Sequence, residues 1–311
     1  MPVEILSILS EARFTLPSFA KINLTLRVLG RRADGYHELN TVFQTVSLCD
    51  ELTFSARDDA RLELVCDAPG IPCDETNLVL RAARALGERY GVSRGARIEL
   101  HKKIPAGAGL GGGSSNAAVA LVGLARLWKI ETQRQALADL GAGVGADVPF
   151  FLTGGTALGT GRGTDIHPLA DVPLRYLLLV TPDINVSTAE AYKSLNAPAL
   201  TKALSPVNLA VSRVQAEISG SLHAVVENDF ERVIYRLYPE TRRARSSLVA
   251  AGARCVSLSG SGASVYALFD SPDEREGAQA KLKVEAGWQV FVCTTLARAG
   301  YEAALFGADE F

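Results

Sequence analysis

The clearest pattern of hydrophobic and polar positions lies in residues 21–28, where the two kinds of side chain alternate. Apolar side chains occupy the even positions, and the polar side chains on the odd positions are Lys21, Asn23, Thr25 and Arg27. A period of two is typical of a half-buried β-strand. The pattern therefore predicts a strand that turns its polar face away from the core.

Similar patterns predict the rest of the secondary structure. A turn is expected at residues 32–35, and further strands are expected at residues 42–46, 52–54, 62–65, 97–104, 176–180 and 264–269. Helical spacing predicts helices over residues 77–90 and 117–128. Strands and helices mix without regular alternation, which favours an α+β fold over a doubly wound sheet. Residues 171–173 read as a link between two domains, 1–170 and 171–311.

The most unusual segment is PAGAGLGGGSSNAA, residues 105–118, in which five of the first nine residues are glycine. A glycine-rich loop that opens a helix directs backbone N–H groups and the helix dipole at one point, which makes a phosphate site. Ser114 and Ser115 are the expected N-cap residues. We expect Gly112 and Gly113 to have positive φ and to leave room for the phosphate.

Three known phosphate loops compete for this segment, and the protein kinase loop is excluded because the HRD and DFG motifs that it needs do not occur downstream. The Walker A pattern fails because position 113 is glycine rather than lysine. The dinucleotide pattern fits Gly107, Gly109 and Gly112, but its acidic residue would be Glu131, which lies in a helical pattern. Two more glycine-rich segments follow, residues 141–163 with Asp147 and residues 257–263.

Composition narrows the class of protein. The 311 residues are 48% hydrophobic and 21% charged, with a net charge of −2, so the chain can bury a core. It has no positive excess for nucleic acid or an anionic membrane. The N-terminus lacks the basic cluster of a secretory signal, and five scattered cysteines form neither a disulfide scaffold nor a zinc site. We expect a cytoplasmic protein with a small-molecule substrate; no pattern specifies its oligomeric state.

The glycine loop resembles the phosphate loop of the GHMP small-molecule kinases, whose usual form is PxxxGLGSSAA. Residues 20–24 (AKINL), 32–37 (RADGYH), 145–149 (GADVP) and 259–263 (SGSGA) resemble the same family. Residues 186–192 and the pair Asn228 and Asp229 fit as well, so the resemblance spans residues 17–270. It implies the two-domain GHMP kinase fold, with an N-terminal half like domain 2 of ribosomal protein S5 and a ferredoxin-like C-terminal half.

The resemblance also implies roles for individual residues. Lys21 would lie beside the acceptor hydroxyl and the γ-phosphate of ATP, and Asp147 would be the general base. The residues matched to ATP binding are Asn77, Leu78, Lys102, Pro105, Gly107, Gly109, Leu110, Gly111, Gly112, Gly113, Ser114 and Ser115. Those matched to the acceptor are Asn23, Tyr36, His37, Thr188, Tyr192, Gly260 and Ser261. Mg²⁺ is expected with ATP, but no ligand set matches.

The extra glycines resemble one branch of the family, which phosphorylates a hydroxyl of a cytidine diphosphate derivative. In that interpretation Tyr36 and Tyr192 would face each other across the base, while His37 bonds its polar edge. Two alternatives remain open. A homoserine- or mevalonate-type kinase would not require the Tyr36-His37 pair, and a non-catalytic nucleotide-binding member would not require Lys21 and Asp147.

Overall fold

Two β-sheets organise the chain, which the computed structural model describes over residues 13–200, 207–220 and 226–307. The N-terminal residues 1–12, which were expected not to be a secretory signal, lie outside the described residues. The first sheet contains β1 (Phe14–Arg31), β2 (His37–Ala56), β3 (Leu62–Cys66), β4 (Ala96–His101), β5 (Thr156–Gly161), β6 (Asp165–Pro168) and β8 (Glu227–Asn228). The second contains β7 (Tyr176–Thr181), β9 (Cys255–Leu258), β10 (Val265–Phe269) and β11 (Gln289–Thr294).

Ten helices are described along with these strands. They are α1 (Leu78–Tyr90), α2 (Gly112–Trp128), α3 (Arg134–Val144), α4 (Val148–Thr153), α5 (Thr188–Leu195), α6 (Val207–Gly220), α7 (Glu231–Leu237), α8 (Pro239–Ala250), α9 (Pro272–Lys281) and α10 (Arg298–Phe306). Strand order in the first sheet is β3-β4-β2-β1-β8, with β5 joining β2 to β6, and in the second it is β11-β7-β10-β9. The predicted α+β class is confirmed.

Strand β1 differs from the half-buried strand that its alternation predicts. The apolar residues Ile22, Leu24 and Leu26 are buried. Lys21, Asn23 and Thr25 are buried as well, with at most 3% of each residue exposed. The polar face is covered by two distant loops, since Lys21 N donates to Leu110 O at 3.0 Å and Gly260 N donates to Asn23 Oδ1 at 2.9 Å. The expectation that this face points away from the interior is therefore wrong.

Strand β2 is a single element of 20 residues where the sequence suggests two strands. It pairs along its length with β1, while its other edge pairs first with β5 and then with β4. This change of partner along one edge lets a single strand run through the apolar segments at residues 42–46 and 52–54.

Helix α2 begins earlier than predicted and without a serine cap. Gly111 is its N-cap, with φ of 71°, and no side chain caps the helix. Ser115 instead lies in the first turn, is fully buried, and accepts a hydrogen bond from Ser18 Oγ at 2.8 Å. Nearly all of α2 is buried, because its alanines and Gly123 allow close packing against α1 and the first sheet.

Two segments that follow residue 171 return to the first half of the chain. Strand β8 pairs with β1, and helix α10 packs its buried Tyr301 against the core around Phe151, whose carbonyl accepts the Tyr301 hydroxyl. These contacts join the two halves of the chain. The division into two domains at residue 170 stays a prediction. Among the described residues, no helix is long and apolar enough to cross a membrane.

Candidate active site

The first and third glycine segments meet at the loop that joins β4 to α2. Ser259 Oγ donates to Gly109 O at 2.9 Å, and Ser264 N donates to Ala108 O at 3.0 Å. Together with the bond from Lys21 N to Leu110 O, these contacts fasten the loop to both sheets. The loop is therefore rigid before any ligand binds.

The glycines that need their special conformation are not the two that the sequence suggests. Positive φ occurs at Gly107 (65°), Gly109 (77°) and Gly111 (71°), whereas Gly112 and Gly113 lie in the helix with ordinary φ. A Cβ atom on Gly109 would overlap the Ser259 carbonyl oxygen. The prediction of positive φ at Gly112 and Gly113 is wrong, because the reversal of the chain is completed before α2 begins.

Gly112 and Gly113 differ in their surroundings. A Cβ on Gly112 would lie 2.9 Å from Lys102 Nζ and 3.0 Å from Ile104 Cγ2, so neighbouring side chains leave little space at this position. A Cβ on Gly113 would meet nothing closer than Leu78 Cδ1, at 3.7 Å, and Gly113 is exposed. The first N–H groups of a helix have no acceptor within it, so the open side at Gly113 is suited to an anion.

The two serines of the loop face in different directions. Ser114 is half-buried, and its Oγ would lie 3.6 Å from a Cβ on Gly145. The Ser115 hydroxyl is directed into the interior towards Ser18. Of the two predicted phosphate or magnesium contacts, Ser114 thus has the accessible side chain. Leu110 is also a core residue, only 1% exposed, and contributes its backbone to the loop.

The residues matched to the adenine side are used partly for structure. Asn77 caps α1 by accepting from Val79 N at 2.9 Å, and its amide donates to Pro72 O. Leu78 lies between Gly113 and Gly145, within 3.8 Å of where each Cβ would be. Leu78 thus borders the open side of the loop, and Asn77 precedes it as the cap of α1, whereas Pro105 is half-buried at the start of the loop.

Lys102 is held from behind the loop by a residue that the sequence did not single out. The Asp50 carboxylate is completely buried, forms an ion pair with the Lys102 ammonium, and accepts from Asn116 Nδ2 at 2.9 Å. Its other oxygen accepts from Lys103 N and Ile104 N, both at 2.7 Å. The Lys103 ammonium instead pairs with exposed Glu51. An acid within the apolar segment SLCDELTF was the available signal for Asp50.

Lys21 and Asp147 face each other in a small cavity. Their Nζ and Oδ2 atoms are 3.8 Å apart, with 4% of the Lys21 side chain exposed and 32% of the Asp147 side chain. Burial lowers the pKa of Lys21, and the opposing charge of Asp147 offsets part of that effect. Asp147 occupies the N-cap position of α4, but its side chain does not cap the helix. Its carboxylate is thus available to the cavity.

Asn23 positions Lys21. Its Oδ1 accepts from Lys21 Nζ at 2.6 Å and from Gly260 N, while its Nδ2 donates to Thr41 Oγ1 at 2.7 Å. Asn228 in turn donates to Gly260 O at 2.8 Å, which links the third glycine segment to β8. These bonds engage both polar atoms of the Asn23 side chain, and Thr41 is a supporting residue that the sequence analysis missed.

A larger cavity continues from this pocket towards the predicted acceptor residues. The small cavity has a volume of about 180 Å³ and the larger about 1120 Å³, and Asp147, Thr188 and Tyr192 line both. Tyr36 and His37 line the larger one. Gly260 and Ser261 line the small one, where Ser261 Oγ is 3.0 Å from Thr188 Oγ1.

The aromatic residues are arranged differently from the predicted pair of facing rings. His37 stacks on Tyr192, with ring centroids 4.8 Å apart, and Tyr192 meets Phe230 edge-on. Tyr36 is 57% exposed and lies against the guanidinium of Arg162 rather than across from Tyr192. Burial and nearby Arg31 lower the pKa of His37, which favours the neutral imidazole. Burial and the charge of Asp147 raise the pKa of Tyr192.

Comparisons with known proteins identify the family of the chain. The family model described as GHMP kinases N terminal domain matches residues 77–155, and the model described as GHMP kinases C terminal matches residues 215–287. A 4-diphosphocytidyl-2-C-methyl-D-erythritol kinase of Moorella thermoacetica is 44% identical over 81% of this chain and 88% of its own length. A kinase of the same name from Gloeobacter violaceus is 39% identical over 90% and 93%.

A solved structure gives the same result for the fold. The crystal structure of a 4-(cytidine 5'-diphospho)-2C-methyl-D-erythritol kinase is 35% identical and superposes with a TM-score of 0.72, covering 91% of this chain and 99% of that one. Together with the loop, the Lys21–Asp147 pair and the aromatic cavity, these similarities show that the chain belongs to the 4-diphosphocytidyl-2-C-methyl-D-erythritol kinases of the GHMP kinase family.

Proposed function

We propose that this protein transfers the γ-phosphoryl group of ATP to the 2-hydroxyl of 4-diphosphocytidyl-2-C-methyl-D-erythritol. The products would be the 2-phosphate and ADP, in the non-mevalonate pathway of isoprenoid biosynthesis. The observation that carries the proposal is the Lys21–Asp147 pair in a small cavity between the glycine loop and a larger aromatic-lined cavity. Similarity to relatives of that name supports the choice of acceptor.

Each residue of the pair has one task in this reaction. The Asp147 carboxylate accepts the proton of the acceptor hydroxyl as its oxygen forms a bond to the γ-phosphorus. The bond from that phosphorus to the β,γ-bridging oxygen breaks, and its electrons leave with ADP. The Lys21 ammonium, held by Asn23 at 2.6 Å, stabilises the negative charge that spreads over the transferred group.

The donor phosphates fit the open side of the loop. The start of α2 offers N–H groups and the positive end of its dipole near Gly113, and Ser114 adds a hydroxyl. Among the described residues, no group of three or more metal-ligating side chains is present. Mg²⁺, which neutralises phosphate charge when bound, would therefore be held mainly by ATP oxygens and water, with Ser114 as a protein ligand.

The cytidine group of the acceptor fits the larger cavity. The side chains of Tyr36, His37 and Tyr192 offer two ring systems and a neutral imidazole at its wall. Stacking on an aromatic side chain contributes roughly 1–3 kcal/mol per base. A site that pairs with the amino group of cytosine rejects uracil, because the exchange leaves buried polar groups unmatched.

We infer that the reaction takes place in the cytoplasm, and the state of the thiols supports this. All five cysteines are free, as is typical of a reducing compartment.

ADP release in a coupled assay tests the function directly. We expect turnover with the cytidine diphosphate acceptor and little with the uridine analogue or with free methylerythritol phosphate. Turnover with homoserine or mevalonate instead would overturn the choice of acceptor. Tyr36→Ala, His37→Ala and Tyr192→Ala should each raise the acceptor KM while leaving the ATP KM unchanged. Unchanged acceptor KM in all three would remove the cytidine site from this cavity.

A further inference from the structure

Arg162 lies at the tip of the turn between β5 and β6. The glycines on either side of it, Gly161 and Gly163, have positive φ of 65° and 88°, and Gly163 N closes the turn on Thr160 O at 2.9 Å. Such a tight turn projects the residue at its tip away from the sheet. The Arg162 side chain lines the larger cavity, although no motif in the sequence points to it.

The guanidinium of Arg162 covers one face of Tyr36. Its Cζ lies 4.7 Å from the centre of the Tyr36 ring, within the range of a cation–π contact. Tyr36 is otherwise 57% exposed. A planar base can therefore stack only on the opposite face of Tyr36, and Arg162 limits the rotation of that ring.

Glu38 connects the turn that carries Arg162 to the turn that carries Tyr36. This carboxylate is 3% exposed, accepts from Gly161 N at 3.1 Å, and pairs with Arg32. One of its oxygens thus holds the residue before Arg162, while the other holds the start of the turn before Tyr36. A buried carboxylate satisfied from both sides fixes the two turns relative to each other.

The charged side chains that line the cavity are mostly positive, although Asp34, outside the lining, is close enough to Arg162 for their charges to interact. Arg31, Arg162 and Lys193 line the cavity, and Asp147 at its other end is the one carboxylate among its described lining residues. A diphosphate carries about one negative charge per phosphate. Guanidinium groups bind phosphate oxygens through paired N–H donors, which an amide cannot replace.

We propose that Arg162 is a specificity-determining residue of the acceptor site. It positions Tyr36 for stacking on a pyrimidine base, and it supplies positive charge for the diphosphate attached to that base. The inference rests on the proposed function for the identity of the acceptor. Binding of a pyrimidine nucleoside diphosphate beside Tyr36 can nevertheless be measured without turnover.

The test compares Arg162→Gln and Arg162→Lys with the wild type in the full-length protein. Arg89→Gln is the matched control, because the Arg89 Cζ lies 5.3 Å from the Tyr90 ring on α1, away from both cavities. We expect Arg162→Gln to raise the acceptor KM by about five- to tenfold, with kcat and the ATP KM nearly unchanged. Arg162→Lys should recover part of this loss, and Arg89→Gln should lose nothing.

Calorimetry separates the effect of Arg162 on stacking of the base from its effect on the diphosphate. It also separates the role of Arg162 from the proposed function. Arg162→Gln should weaken cytidine 5'-diphosphate more than cytidine, because only the former carries the diphosphate. If the wild type binds cytidine 5'-diphosphate but does not phosphorylate the acceptor, the proposed function fails and the role of Arg162 is still measured. Unchanged or tighter binding of cytidine 5'-diphosphate to Arg162→Gln, or no binding to the wild type, would overturn the inference.

Discussion

The two sides of the cleft are built in opposite ways. On the donor side, the glycine loop is fastened to both sheets by backbone bonds and supported by the buried group of Asp50, Lys102 and Asn116. On the acceptor side, recognition depends on a few side chains, of which Tyr36 is 57% exposed. In the proposed function the donor side would bind groups common to every ATP molecule and can use fixed backbone N–H groups. The acceptor side would have to discriminate between bases.

This difference predicts how each side responds to substitution. Changes behind the loop should lower both the stability of the fold and ATP affinity, because those residues are buried and bonded to one another. Changes at the acceptor side should alter the acceptor KM and leave stability almost untouched.

The largest effect is expected from Asp50→Asn. The substitution leaves the buried Lys102 ammonium without its charged partner, which should lower the free energy of unfolding by about 3–5 kcal/mol. Urea unfolding measures this, and ATP affinity should fall with it. Glu51→Gln is the matched control at the next position, since Glu51 and its partner Lys103 are exposed; its unfolding midpoint should equal that of the wild type. Equal midpoints for both variants would contradict a rigid, buried donor side.

Asp147→Asn should lower kcat by at least ~10²-fold while ATP affinity is nearly unchanged. The amide cannot take the proton of the acceptor hydroxyl, but the phosphate loop remains intact. Single-turnover kinetics with calorimetry of ATP binding measure the two quantities separately. Asp139→Asn, on the exposed face of α3, is the control for charge. Near-normal kcat in Asp147→Asn would remove this carboxylate from the mechanism.

Gly109→Ala and Gly113→Ala sharpen the comparison within the loop itself. At Gly109 a side chain would overlap Ser259 and strain a φ of 77°, so we expect a loss of about 2–4 kcal/mol of stability. At Gly113 the new methyl group has space and a helical backbone, so stability should rise slightly. Gly113→Ala should nevertheless weaken ATP binding, because the methyl group lies on the open side of the loop. Thermal unfolding and calorimetry on the same samples check both statements, and unchanged ATP affinity in Gly113→Ala would move the phosphates elsewhere.

The smallest effect concerns pH at the acceptor side. Burial and Arg31 lower the pKa of His37 below its ordinary value of 6.5, so the imidazole stays neutral as the pH falls to that value. The acceptor KM should therefore be constant from about pH 8 to pH 6.5 and should rise only at lower pH. His37→Gln should remove that rise. An inflection in the wild-type KM above pH 7 would show that His37 becomes protonated more easily than this environment allows.

Much of the donor side could be predicted from the sequence, because local composition controls it. Five glycines followed by an alanine-rich segment predicted a loop that opens a helix, and the structure has that loop and helix there. The positions of the left-handed residues could not be predicted, since any glycine tolerates positive φ. A Cβ atom would overlap the Ser259 carbonyl oxygen at Gly109 and would press against the Phe151 ring at Gly111.

The acceptor side was predicted less completely. The sequence identified Tyr36, His37 and Tyr192 through the family resemblance, but it predicted facing rings where His37 is stacked on Tyr192. Arg162 was missed because an arginine between two glycines in a turn is typical of an exposed surface. Its relation to Tyr36 depends on the pairing of β2 with β5 and on Glu38.

The sequence by itself determined the periodicity of the strands, the glycine loop with its following helix, and the family whose motifs the chain carries. The tertiary structure alone decided which polar residues are buried, which glycines adopt positive φ, and which charged side chains form pairs. Lys21 and Asn23 show the reason: their alternation specifies a face of β1, but only the loops at Leu110 and Gly260 decide that this face is covered. Periodicity is a property of neighbouring residues, whereas burial and charge pairing depend on segments far apart along the chain.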